Sequence, residues 1–142
     1  MMRLYATFSV DGTLFGVDAT DVQEILLPQH LTRVPLANPE VNGLANLRGQ
    51  VVVTISLRRL LQLSPPAEGA PTVSIVLRTE HGPISMVVDE VGDVLEAHDD
   101  DLDSPPPTLS PVTRELVTAV HKLDDQLLLV LDVKRTAQPV AA

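Results

Sequence analysis

The sequence predicts an all-β fold with short helices, built as two small β-barrels packed together. Hydrophobic residues make up 44% of the 142 residues but aromatic residues only 2%, so the core must be aliphatic. Val and Ile, which are branched at Cβ, favour the pleated surface of a sheet. Hairpin signals recur along the chain, and its two halves are weakly similar to each other.

Three hairpins are predicted in chain order. Asp11-Gly12 lies between two apolar segments and predicts a tight turn, because glycine accepts positive φ without a steric cost. The second and third hairpins turn at 80–83 and at Asp124-Asp125. Their strands are predicted at 73–77, 84–88, 116–123 and 127–131, and a further buried strand is predicted at 51–55.

Short helices and irregular segments separate these strands. The segment 21–26 has an acidic start and stops before Pro28, which predicts a short helix. Ser56 follows a strand and precedes leucines at helical spacing, so we interpret it as an N-cap and not as a nucleophile. The Pro- and Gly-rich stretch 64–71 is predicted to be a connector, and the acidic stretch 99–107 a solvated loop.

A weak internal repeat organises these elements. Residues 41–59 align without a gap on 117–135, and 21–26 align on 90–95. The repeat therefore suggests two similar small β-barrels joined near residues 64–71, and the N-terminal strand is the element expected to cross between them. The expected organisation is a single domain over 1–142, with a first lobe at about 8–63, the connector at 64–71 and a second lobe at about 72–136.

Composition argues against several classes of function. The net charge of −9 disfavours nucleic acid and anionic lipid, which are bound mainly through Lys and Arg. The chain has no Cys, and none of its four His residues has the spacing of a metal-binding helix. No signal peptide and no apolar run of about 20 residues is present, so a cytoplasmic location is expected. We expect neither an enzyme nor a cofactor.

The turn at 42–50 is the most informative segment. Gly43 and Gly49 bracket an apolar stretch that ends in Arg48, whereas the repeat places Asp124-Asp125 at the matching turn. The simplest account is a turn in which Gly49 supplies positive φ and Arg48 points to water. A loop that differs between two copies of one scaffold is also a candidate for function, since arginine can fork onto a partner's carboxylate.

The tetrapeptide Asn46-Leu47-Arg48-Gly49 before a buried strand resembles the signature of the CheW family, the coupling proteins of bacterial chemotaxis. The resemblance runs from about residue 3 to 136. Three further stretches agree with the family pattern in order and spacing: 22–25, 87–95 and 127–132.

The resemblance implies two five-stranded SH3-like barrels and a scaffolding activity without catalysis. The implied partners are the cytoplasmic domain of a methyl-accepting chemoreceptor, the regulatory domain of a CheA-type histidine kinase and other CheW-like proteins, at membrane-bound receptor arrays. The receptor tip would lie along an apolar groove between the lobes. The implied receptor- or kinase-binding residues are Glu24, Gly43, Asn46, Arg48, Gly49, Val73 and Val94.

Some positions depart from the family pattern. Val53 and Ser56 stand where the family usually has Pro and Asp, and Ala119 stands where Gly is common. These departures leave open a divergent CheW-like module that binds receptor or kinase alone, in a pathway that does not control flagella. A small-ligand carrier is a further alternative, but it needs polar anchors converging in an apolar pocket, and the sequence indicates none.

Overall fold

Strands dominate the structure, a computed structural model that describes residues 1–138. The prediction of a mostly β fold with short helices is confirmed. Single turns of 3-10 helix lie at Ala19–Asp21 and Asp99–Asp101. The strands and α-helices of the described residues are β1 (Met2–Val10), β2 (Thr13–Asp18), β3 (Val22–Leu26), β4 (Val41–Leu47), β5 (Gln50–Ser56), α1 (Leu57–Leu60), β6 (Val73–Leu77), β7 (Ile84–Val88), β8 (Glu90–His98), β9 (Leu102–Asp103), α2 (Pro111–Leu116), β10 (Val117–Lys122), β11 (Leu127–Leu131) and α3 (Val133–Thr136).

The strands form two sheets. One has six strands in the order β8-β1-β2-β11-β10-β9, and the other has five in the order β3-β6-β7-β5-β4. The three predicted hairpins are confirmed as β1–β2, β6–β7 and β10–β11. Five strands were expected in each sheet; the sixth, β9, is a two-residue strand that pairs with β10.

The two sheets exchange hairpins between the halves of the chain. Hairpin β1–β2 pairs with β8 and β11 from the second half, while hairpin β6–β7 pairs with β3 and β5 from the first half. The chain is therefore divided differently from the expected lobes at 8–63 and 72–136. The connector at 64–71 separates two sequence halves but not two sheets.

Strand registry supports the internal repeat. The β-bulge between Val41 and Gly43 in the β4–β5 pair has a counterpart between Val117 and Ala119 in the β10–β11 pair. β5 runs parallel to β7, and its counterpart β11 runs parallel to β2. Ignoring β9, the two strand orders become identical when each element is replaced by its repeat counterpart. The repeat is thus a structural duplication.

The helix that follows each buried strand is capped in the same way. The Ser56 hydroxyl accepts a hydrogen bond from the backbone N–H of Arg59, which confirms the predicted N-cap. The Asp132 carboxylate accepts one from the backbone N–H of Arg135 at the matching position. Both caps satisfy amides that the first turn of a helix leaves unpaired.

Two predicted segments are wrong. The segment 21–26 is not a helix: it is mainly β3, whose residues alternate between half-buried and exposed and pair with β6. Ladder hydrogen bonds to β6 satisfy the same backbone groups that a helix would have satisfied internally. The stretch 99–107 is not wholly a loop, since it contains a 3-10 turn and β9. Leu116, predicted to begin a strand, ends α2.

The main core lies between the two sheets. Phe8 and Phe15 of the six-stranded sheet stack with ring centroids 6.2 Å apart, and they pack in one cluster with Ile55 and Met86 of the other sheet. A smaller cluster of Leu47, Val52 and Val76 forms on the five-stranded sheet, and Leu26 of β3 packs against it. The cluster thus includes apolar residues from both edge strands of that sheet, β3 and β4.

An ion pair ties the two sheets together beside the core. Arg58 of α1 donates from Nε and Nη2 to both carboxylate oxygens of Asp89, at 2.9 and 2.7 Å, and from Nη1 to the carbonyl of Ser64. Asp89 Oδ2 also accepts the backbone N–H of Asp11 in the β1–β2 turn, 2.8 Å away. Burial of Arg58 and the three hydrogen bonds to Asp89 make this a specific tether.

Candidate docking site

An ion pair closes the gap between the edge strands of the five-stranded sheet. Glu24 lies on β3, and Arg48 lies in the turn after β4, at the opposite edge. Arg48 Nη1 donates to Glu24 Oε1 at 2.9 Å, and Arg48 Nη2 donates to Oε2. The Arg48 side chain is 69% exposed, so the pair lies at the surface. Arg48 therefore does not simply extend into water, as the simplest account of the turn expects.

Both members of the pair are charged at neutral pH. The hydrogen bonds from Arg48 are the main cause that lowers the pKa of the Glu24 carboxyl from its ordinary value of 4.5. The same hydrogen bonds to Glu24 raise the pKa of the Arg48 guanidinium. The ion pair carries no net charge, whereas the protein as a whole is acidic. It presents the guanidinium N–H donors of Arg48 at the surface.

The turn that carries Arg48 is held by its own residues. Leu47 pairs with Gln50 across it, and its central residues Arg48 and Gly49 have φ values of 50° and 85°. Positive φ at Gly49 confirms the sequence prediction. The carboxamide oxygen of Asn46 accepts the backbone N–H of Gly49 at 2.9 Å.

Gly43 allows a close approach of two backbone segments. Its φ is 152°, and a Cβ there would lie 2.9 Å from the carbonyl oxygen of Thr32 and 3.0 Å from the Cβ of Leu31. Thr32 and Leu44 form an isolated bridge through two hydrogen bonds of 2.8 Å. Gly43 is therefore required by the packing of β4 against the preceding loop.

The two valines of the predicted site lie on different sheets. Val73 of β6 is half-buried against the main core. Val94 of β8 pairs with Ala6 of β1 and is 59% exposed. Glu24, Asn46, Arg48 and Gly49 form one cluster, while Gly43, Val73 and Val94 make no hydrogen bond or ion pair with that cluster within residues 1–138.

The sequence reasoning missed two exposed apolar patches, one on each sheet. On β1, Leu4 and Met2 lie on the same face as Ala6, which packs against the main core, and both are 48% exposed. On β3, Ile25 occupies the repeat position of Val94 and is 46% exposed, and Leu27 just beyond the strand is 78% exposed. An assignment of 22–26 as a strand would have indicated Ile25 as outward-facing.

The second half of the chain lacks the ion pair. The positions that match Glu24 and Arg48 are Asp93 and Asp124, both acidic and both exposed. Lys122 replaces the Asn that holds the first turn. The two lobes therefore share a scaffold but differ in this feature, as the sequence comparison of the two turns anticipated.

The described part of the chain offers little that suggests chemistry. No group of three or more His, Cys, Asp or Glu side chains in residues 1–138 is arranged to hold a metal ion. None of the helices in that range is long and apolar enough to cross a membrane.

Two packed sheets with a surface ion pair and exposed apolar patches are typical of a protein that docks other proteins. The chain belongs to the CheW family, because the CheW-like domain matches residues 4–140. It is a CheW-like chemotaxis scaffold protein, and members of this family are not enzymes.

Individual relatives agree with this assignment. The chain is 30% identical over 125 residues to a chemotaxis protein CheW of Bacillus subtilis (strain 168), with 88% of this chain and 80% of that protein covered. It is 24% identical over 134 residues to a chemotaxis protein CheW of Thermotoga maritima, with 94% and 87% covered. The crystal structure of the scaffolding protein TtCheW from Thermoanaerobacter tengcongensis has the same fold, with a TM-score of 0.83, 23% identity, and 93% and 90% of the two chains covered.

Proposed function

We propose that this protein couples the cytoplasmic tips of methyl-accepting chemoreceptors to the regulatory domain of a CheA-type histidine kinase, in the cytoplasm at receptor arrays. The observation that carries the proposal is the exposed Glu24–Arg48 pair at a turn held by Asn46. Family membership supplies the classes of partner, and the geometry supplies surfaces on which two of them can dock.

The ion-paired turn suits contact with a folded domain. Glu24 fixes the guanidinium before binding, so less side-chain entropy is lost when a partner packs on it. Arginine is enriched among the residues that dominate binding energy at interfaces, and its apolar stem can cover apolar surface of the partner. Val51, which pairs with Asn46 on the neighbouring strand, is 64% exposed and extends the surface with apolar area. We assign this surface to the kinase regulatory domain.

The exposed apolar patches suit a different partner. Leu4 and Val94 lie on the six-stranded sheet, and Ile25 and Leu27 lie on and just beyond β3; all four are exposed apolar side chains. Such patches can accept the apolar stripe of a helix, which is the mode by which amphipathic helices bind grooves. We assign this surface to the helical hairpin tip of the receptor.

Binding measurements on separate partners test the two assignments. Wild-type protein is titrated with a soluble receptor cytoplasmic fragment and, separately, with the kinase regulatory domain. Val94→Glu is expected to weaken the first complex and spare the second, whereas Arg48→Glu does the opposite. Lys122→Glu reverses charge in the same sense near the matching turn in the second half of the chain and serves as the control.

The pattern of results separates the candidate functions. Binding to both partners supports a coupling role. Binding to the receptor fragment but never to the kinase domain, or the reverse, would replace the adaptor with the single-partner regulatory module. Equal affinities for wild type and both variants would remove these surfaces from the docking site.

A further inference from the structure

The backbone at Arg48 has a conformation that arginine disfavours. Arg48 and Gly49 have φ of 50° and 85°, and the β1–β2 turn has nearly the same values, 52° at Asp11 and 77° at Gly12. Two-residue hairpin turns with both φ values positive favour Asn or Asp followed by Gly, because most side chains clash with the backbone there. Asp11 obeys this preference and Arg48 does not, so the arginine turn needs stabilisation from elsewhere.

Asn46 supplies that stabilisation from the end of β4. Its carboxamide oxygen accepts the N–H of Gly49 at 2.9 Å, so one hydrogen bond spans the backbone of Arg48. Side-chain amides of Asn commonly replace a backbone acceptor in this manner at turns. The bond restrains the residues on both sides of Arg48 while leaving the guanidinium outside the turn.

The second half of the chain shows what the same turn is like without this hydrogen bond. Lys122 occupies the position of Asn46, and the lysine ammonium cannot accept a hydrogen bond. Asp124 and Asp125 then form the turn, and neither has positive φ. Positive φ, the accepting amide and the ion pair therefore occur together in one lobe and are all absent at the matching turn of the other.

We propose that Asn46 is a positioning residue, which holds Arg48 at positive φ by accepting the Gly49 N–H and so aims the guanidinium at Glu24. The sequence alone grouped Asn46 with the residues that touch a partner. Its role instead is to act through Arg48. The inference rests on the proposed function only for its effect on binding; the effect on Glu24 is a property of the free protein.

The free protein provides the first test. The pKa of the Glu24 carboxyl is measured by NMR titration in the wild type and three variants. Asn46→Ala is expected to raise it toward 4.5, because the guanidinium is no longer held against the carboxylate. Asn46→Ser keeps a neutral oxygen acceptor and should retain part of the lowering, and Lys122→Ala at the matching position should leave the pKa unchanged. An unchanged pKa in folded Asn46→Ala would overturn the proposal.

Binding provides the second test and keeps the two hypotheses apart. Asn46→Ala is expected to bind the kinase regulatory domain about five-fold more weakly, the equivalent of roughly 1 kcal/mol for one hydrogen bond, while Asn46→Ser, whose hydroxyl can accept the Gly49 N–H, restores part of the affinity. A shifted Glu24 pKa with no binding by any version would refute the proposed function but support the positioning role. A lowered affinity in both variants alike would show that the carboxamide itself contacts the partner, against the proposal.

Discussion

Glu24 and Arg48 lie at opposite edges of one five-stranded sheet, and their side chains join those edges through two hydrogen bonds. The ion pair connects the two edges of the sheet and also exposes the guanidinium donors of Arg48. Its counterpart in the other lobe would be Asp93 and Asp124, whose like charges cannot pair. The duplication thus supplies an internal control for each statement about this site.

Arg48→Asn should separate docking from folding. Asn tolerates positive φ better than Arg does, so the free energy of unfolding should change little even though the ion pair is lost. Affinity for the kinase regulatory domain should fall. Chemical denaturation and titration of the same preparation check both parts, with Asp11→Asn in the equivalent β1–β2 turn as the control. Retained affinity would mean that the guanidinium is not needed.

The Glu24–Arg48 pair should persist in mild acid. Because the pKa of Glu24 is lowered in the folded protein, its contribution to stability is fully present above the ordinary value of 4.5. That contribution is lost as the pH falls below 4.5 and through the lowered pKa of the folded state. Titration of the Glu24 carboxyl by NMR should show the depressed midpoint, and Arg48→Gln should return it toward 4.5. The same midpoint in both proteins would contradict the pairing.

The buried ion pair between the sheets should contribute more to the free energy of unfolding than the exposed one. The Arg58 and Asp89 side chains are 16% and 21% exposed, while those of the ion pair made by Lys134, which occupies the repeat position of Arg58, with Glu80 are 79% and 69% exposed. Asp89→Ala should lower the free energy of unfolding by about 2 kcal/mol, because it removes two hydrogen bonds from a half-buried guanidinium and leaves it only the Ser64 carbonyl and the Asp11 carboxylate, 3.9 Å away.

Glu80→Ala is the matched control for that change. Exposed ion pairs contribute little, so this variant should lose less than about 0.5 kcal/mol. Urea denaturation with equal m-values measures both. Equal losses in the two variants would show that burial does not distinguish the tethers.

Thr54→Val should stabilise the protein. Thr54 is 1% exposed, and its hydroxyl has no hydrogen-bond partner within residues 1–138. The matching residue of the other lobe is Val130, which is buried in an apolar cluster. Replacing an unsatisfied buried hydroxyl by a methyl of the same shape should raise the free energy of unfolding by about 1 kcal/mol. A loss of stability would indicate that the hydroxyl is satisfied in solution.

Local signals in the sequence were sufficient for the hairpins and the helix cap. Asp11-Gly12 and Ser56 each act through contacts within a few residues, and the structure confirms both. β3 was predicted as a helix from the acidic start of 21–26 and from Pro28 just beyond it. The half-buried Glu24 of that strand pairs with Arg48 from the far edge of the sheet. Such a pairing between distant residues is invisible to local periodicity.

The sequence also could not predict which hairpin joins which sheet. The repeat indicates that two similar units exist, but either copy of the hairpin has the pattern needed to pair with β3 or with β8. Val22 pairs with Leu77, and Val91 pairs with Phe8, in matching registers. Only the packing of both sheets around one core decides which hairpin goes where.

Co-sedimentation of kinase with receptor tests the central claim most directly. Receptor cytoplasmic fragments assembled on vesicles are pelleted with the kinase, with and without this protein. We predict that wild-type protein brings the kinase into the pellet and that Arg48→Glu, folded as judged by its thermal unfolding, does so much less, while Lys122→Glu matches the wild type. Equal recruitment by wild type and Arg48→Glu would contradict the account.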